Sequence, residues 1–196
     1  VSQQGGAYSA GPEFLDSAHK VETAADAEAY LARVHEIGRV MGEETDRIRR
    51  DAGKGVIAPD FILANAIGQQ EGILAVPAAQ ARLVASLVRK TKEKGIAGDW
   101  AARCQALVEK DVYPALSAQL ETLKGLQPKA THDAGVWRLP KGDDYYRWLL
   151  REGTSTSLTP DEVHKMGLEQ NKAIEDRMDG LLKAQGLTQG SVGDRM

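Results

Sequence analysis

From Thr23 to Gly53 the sequence sustains a single 3.6-residue hydrophobic period, and one helix of that length sets the scale of everything packed against it. Thr23 stands where an N-cap belongs, with Asp26 three residues on in capping-box register. The apolar stripe runs Ala27, Leu31, Val34, Ile37, Met41 and Ile48. Glu43 with Arg47, and Asp46 with Arg50, are ordered as i,i+4 ion pairs on the solvated side. Gly53 and Gly55 end the element. At about 29 residues and 1.5 Å per residue it is about 43 Å long, enough to cross a whole domain.

The same period recurs along the rest of the chain, and no strand-like alternation survives inspection. Pro59 opens a second helix with Phe61, Ile62, Ala66, Ile67 and Ile73 on its apolar face. Pro77 separates a third, carrying Leu83, Val84, Leu87 and Val88 and closing in Arg89, Lys90, Lys92 and Lys94, cations that suit the negative end of their own helix. Asp99 is placed to cap a fourth, running through Trp100, Leu107, Val112, Leu116, Leu120 and Leu123 to Gly125. Pro114 lies within it and should kink or split it. Thr159-Pro160-Asp161-Glu162 is the strongest local signal: a capping threonine, proline at the first helical position and an acid at the third. The helix it starts carries Val163, Met166, Leu168, Ile174, Met178, Leu181 and Leu182 and stops at Gly186. Ser191-Val192-Gly193-Asp194 spells another cap just before Met196, as in a chain cut short. There is no fixed-period repeat, which excludes a solenoid.

The expected organisation is an irregular N-terminal segment over 1–22 and a helical array over 23–126. A connector loop over 127–142 and C-terminal helices over 143–196 follow. Val136, Trp137 and Leu139 suggest that the connector is pinned to the body by its tryptophan. The fold class is all-α, an irregular array of long antiparallel helices.

Composition narrows function mainly by exclusion. With 42% hydrophobic and 27% charged residues, the chain is globular rather than disordered. A net charge of −3 gives no strong pull toward nucleic acid or anionic membrane, and Arg89, Lys90, Lys92 and Lys94 have no interleaved aromatics. No apolar run approaches the roughly 20 residues of a membrane span. The single cysteine, Cys104, lies among alanines and leucine, reads as a buried helical thiol, and excludes an intrachain disulfide.

Candidate chemistry is thin. His35-Glu36-Ile37-Gly38-Arg39 falls one ligand short of the zinc-peptidase helix, which needs histidines four apart; Arg39 stays protonated and cannot ligate. Asp161 and His164 share a helix face, as in half of a dimetal site, but no second copy exists; a first-turn carboxylate at the helix N-terminus is the plainer reading. Thr154-Ser155-Thr156-Ser157 clusters hydroxyls before a helix start, with no histidine close in sequence to activate them. Tyr145, Tyr146 and Trp148 could line a pocket or fill a core.

Several motifs, in order, make the whole chain similar to one family. They are Ser2-Gln3-Gln4-Gly5-Gly6-Ala7-Tyr8, Gly55-Val56-Ile57-Ala58-Pro59-Asp60-Phe61-Ile62-Leu63, Ala134-Gly135-Val136-Trp137-Arg138-Leu139-Pro140, Tyr145-Tyr146, Thr159-Pro160-Asp161-Glu162-Val163-His164 with Gly167-Leu168, and Gln185-Gly186-Leu187 with Gly190-Ser191. The segment resembles the middle part of the bacterial domain-of-unknown-function family number 885. That resemblance implies a protein about three times this length, mostly helical and similar to gluzincin-type zinc metallopeptidases, whose H-E-x-x-P-G-H motif lies in the later half. It also implies export or lipid anchoring, hence a periplasmic or cell-envelope location. The zinc motif is absent from these residues, so no catalytic or metal-binding residue carries over, and zinc is expected in the full-length protein alone. Trp137, Tyr145, Tyr146, Thr154, Thr156 and His164 match family-typical positions and are expected to line a substrate cleft. The expected partners are the remainder of the parent chain and a peptide substrate. The alternative is a non-catalytic helical interaction module offering the long helix as a docking face.

Overall fold

In the computed structural model, which describes residues 2 and 4–196, eight α-helices succeed one another with no strand among the described residues. Val1 and Gln3, which belong to the first segment and the first family motif, lie outside the described residues. The helices are α1 (Ala7–Ser17), α2 (Ala24–Ala52), α3 (Asp60–Leu74), α4 (Arg82–Glu93), α5 (Trp100–Leu107), α6 (Tyr113–Leu126), α7 (Gly142–Thr154) and α8 (Pro160–Ala184). They fall into two compact units, Val1–Ala134 and Gly135–Met196. The all-α expectation holds, and the division falls inside the stretch read as a connector.

In the first unit α2 is the axis. Its Thr23 hydroxyl accepts from Asp26 N–H while the Asp26 carboxylate accepts from Thr23 N–H at 2.9 Å, closing the capping box. Ala27, Tyr30, Leu31, Val34, Ile37 and Met41 are buried along its length. Tyr30, fully buried, donates its hydroxyl to Leu83 O at 2.9 Å and so ties α2 to α4. The ion pairs on the wet face form in a different register from the one the sequence suggests. Arg39 pairs with Glu36 and Glu43, and Arg49 with Asp46. Surface pairs of this kind are interchangeable within a turn because each is worth so little.

The N-terminal segment is not irregular: residues 7–17 form α1, with Pro12 inside it. Its support is tertiary, which local sequence does not display. Glu44 on α2 accepts the Ala7 N–H at 3.0 Å, supplying the cap that Gly6 lacks. At the other end Lys90 donates to Leu15 O at 2.8 Å and to His19 O at 2.5 Å. Tyr8 and Leu15 anchor the helix in the core. The basic end of α4 therefore serves α1 as well as its own dipole: Arg89 also pairs with Asp16, and Lys94 with Glu22.

Pro114 breaks its helix in a specific way. Between α5 and α6, residues Val108–Val112 form a π turn, and the helix then resumes at Tyr113. A wider turn just before proline accommodates the missing N–H and the ring without ending the element. The π turn presses onto α2 at Gly38, where a Cβ would stand 2.6 Å from Asp111 O. One turn earlier His35 Nδ1 lies 2.9 Å from Asp111 Oδ2. Asp99 occupies the N-cap position of α5 but makes no side-chain capping bond. A polar seam also crosses the core, where Gln70 on α3 donates to Gln119 on α6 at 2.8 Å.

The second unit is built differently. Thr159 and Glu162 close a capping box, with Pro160 at the first helical position, as the sequence dictates. Ser191 and Asp194 close another at the start of a single 3-10 turn, and Arg195 donates to Asp179 at 2.5 Å. Yet among its described residues only Gly142 is buried.

Candidate functional site

The six residues singled out by sequence all lie in the second unit, and all are exposed. Trp137 does not pin the connector to a core; it is 64% exposed. What holds it is backbone. Residues 136–138 form a 3-10 turn, Leu139 N–H donates to Val136 O at 3.0 Å, and Gly142 N–H donates to Leu139 O at 2.9 Å. Gly142 packs so closely on the turn that any Cβ there would overlap the Val136 carbonyl, and one at Gly135 would overlap the Trp137 indole. Lys141, at the start of α7, adopts a left-handed φ of 59°, a conformation that non-glycine residues take at a cost. The tryptophan is thus displayed by a braced turn.

On α7 Tyr145 and Trp148, one turn apart, stack with ring centroids 6.1 Å apart and planes 19° from parallel. Both are at least half exposed. Tyr146 and Leu149 complete an aromatic and aliphatic surface that is exposed throughout. At the end of α7 the Thr154 hydroxyl donates to Leu150 O at 2.7 Å and lies 3.0 Å from the Thr156 hydroxyl. These two hydroxyls are brought together by a left-handed residue, Ser155. Among the described residues no hydrogen bond joins His164 to either threonine or to Asp161. The aromatic surface and the hydroxyl pair can stack and hydrogen-bond a ligand; they contain no activated nucleophile.

Among the described residues no three His, Cys, Asp or Glu side chains converge. His35 faces Asp111, and His132 faces Asp60 at 3.0 Å, each as a single pair. His19 Nε2 lies 3.1 Å from Asp26 O. Among the described residues these donors stand in pairs. Cys104 is fully buried, and desolvation pushes its thiol up to about 12, which removes it as a nucleophile at neutral pH.

Sequence reasoning missed a cavity of about 810 Å³ in the first unit, bounded by Tyr8, Ile73, Val76, Leu83, Val112 and Tyr113. Its walls come from residues more than a hundred positions apart, so no local motif could signal it. Several of its polar groups are already engaged. Tyr113 donates to Val76 O at 2.8 Å, the Tyr8 hydroxyl lies 2.7 Å from Gln69 Oε1, and Arg82 at the rim pairs with Glu13 and Asp16. Burial, then the charge of Glu44, raises the Tyr8 hydroxyl above its ordinary value, so it stays protonated. The cavity is a mostly apolar socket.

The profile of the family described as "Bacterial protein of unknown function (DUF885)" matches residues 1–196. No curated protein matches the chain. In fold it is similar to the crystal structure of the "putative lipoprotein" from Colwellia psychrerythraea, with a TM-score of 0.88 and 25% sequence identity. The match covers 100% of this chain and 34% of that one, so the chain spans about a third of that protein's length.

Proposed function

This chain belongs to the bacterial family of unknown function DUF885, and on that premise we propose that it is the scaffold and substrate-cleft segment of a zinc-dependent, peptidase-like hydrolase. The observation that carries the reading is the exposed, braced surface of the second unit, where Trp137, Tyr145 and Trp148 are held in the open without a core to fill. The exposed aromatic faces suit the apolar side chains of an extended peptide, and the hydroxyls of Thr154 and Thr156 at the end of α7 suit its main-chain carbonyls. Tyr145 and His164 orient the substrate or hold a neighbouring loop. In this reading a zinc ion, held by ligands from polypeptide outside these residues, would supply Lewis-acid polarisation of a carbonyl and an activated water. The name of the structural relative supports a cell-envelope location. In the described residues no helix is long and apolar enough to cross a membrane.

The test is the gene-encoded protein assayed on peptide libraries with zinc, with a chelator, and after zinc is restored. Turnover that falls on chelation and returns with zinc supports the reading; turnover indifferent to zinc removal counts against it. The alternative, an interaction module, has to use a surface other than the apolar stripe of α2, because that stripe is already buried in the first unit.

A further inference from the structure

We infer that the apolar stripe of α8 is an intramolecular docking surface, covered by polypeptide of the same protein lying outside these 196 residues. Val163, Met166, Ile174, Met178 and Leu181 recur at three-, four- and eight-residue steps and therefore form one line along about 27 Å of helix. Ile174 is 57% and Leu181 61% exposed, and Met166 is exposed as well. The opposite side is finished for water: Lys165 pairs with Glu169, Lys172 with Asp176, and Lys183 with Asp179. A helix with one completed polar face and one open apolar face is made to be packed on.

The choice of occupant follows from two further observations. Asp161, Glu162, Glu169, Glu175, Asp176 and Asp179 outnumber the basic residues of α8, the wrong balance for a helix lying on an anionic lipid surface. The structural relative matches this chain over its full length and extends over about twice as much again, since the match covers only 34% of it. A cover carried on the same polypeptide needs no second molecule. The inference rests on the proposal that this chain is a segment of a longer protein, and it is independent of zinc chemistry.

The gene-encoded protein offers native probes. Met166 and Met178 lie on the stripe, whereas Met196 is 82% exposed. Under limiting peroxide, Met166 and Met178 should oxidise at least about tenfold more slowly than a freely exposed methionine, independently of protein concentration. Maleimide labelling supplies a second measurement: a thiol from Ile174→Cys should react at least about a hundredfold more slowly than one from Lys172→Cys. A photo-crosslinker at position 174 should then map to residues outside 1–196. Equal oxidation or labelling rates, protection lost on dilution, or cross-links to residues 1–134 or a second copy would each overturn the inference. Protection without zinc-dependent turnover would retain it while removing the hydrolase proposal. Zinc-dependent turnover without protection would do the reverse.

Discussion

Two helices of this protein begin with the same device and come to opposite ends. Both α2 and α8 open on a threonine capping box, exceed twenty residues and carry an apolar stripe at helical spacing. In α2 that stripe is buried from Ala27 to Met41; in α8 no residue is buried. The difference teaches that capping and period determine where a helix forms, while the stabilisation of a fold comes from what the stripe meets. Most helical stability derives from tertiary packing, and α8 has little within these residues to supply it.

The largest expected effect separates the two units by one kind of substitution. Leu116→Ala, in the core of the first unit, should cost about 2–5 kcal/mol of unfolding free energy. Leu181→Ala in the same 196-residue chain should stay within about 0.5 kcal/mol. Urea titration measures both, and comparable losses would erase the distinction. Next, Gly38→Val should destabilise the first unit by about 1–3 kcal/mol, because the added carbons meet the Asp111 carbonyl and not a yielding side chain. A neutral result by calorimetry would mean that the π turn is not tightly seated on α2.

The capping boxes give a finer contrast. Thr23→Ala should lower global stability by about 1 kcal/mol, whereas Thr159→Ala should leave the main transition unmoved and only fray the start of α8, visible in amide exchange. The smallest effect is electrostatic. The Ser86 hydroxyl, followed by the Arg82 and Arg89 guanidinium groups, holds the Asp16 carboxyl down at about 2. A depressed folded-state value stabilises the protein above the ordinary carboxylate range, and that contribution disappears as pH falls toward about 2. Stability of the first unit measured from pH 5 downward should therefore decline, and Asp16→Asn should flatten that decline.

What could be read in advance follows the same division. The bounds of α2 and α8, the proline start of α8 and the disturbance at Pro114 were legible because each depends on a few neighbouring residues. Helix α1 was not, because Glu44 and Lys90, which complete its two ends, are distant in sequence. The partners of Arg39 and Arg49 were not, because several charges lie within reach at nearly equal energy. Trp137 was expected to anchor its loop to a core, since large apolar residues usually do; its neighbours Gly135 and Gly142 were the signal that backbone bracing replaces such an anchor. The candidate cleft residues could be located on their helices, but the apolar cavity could not, for its lining is assembled only by the fold.

The π turn has a consequence for how this sequence can change. A π turn takes up one residue more than an α turn without rotating the helix beyond it, so α6 presents Leu116, Gln119, Leu120 and Leu123 inward in spite of that extra residue. Regular α winding of the same residues would rotate those four side chains by about 100°, whereas deleting one residue of the segment and restoring regular winding would leave them facing inward. The segment can therefore lose one residue without turning α6, while its composition is held by the buried Val108 and Val112.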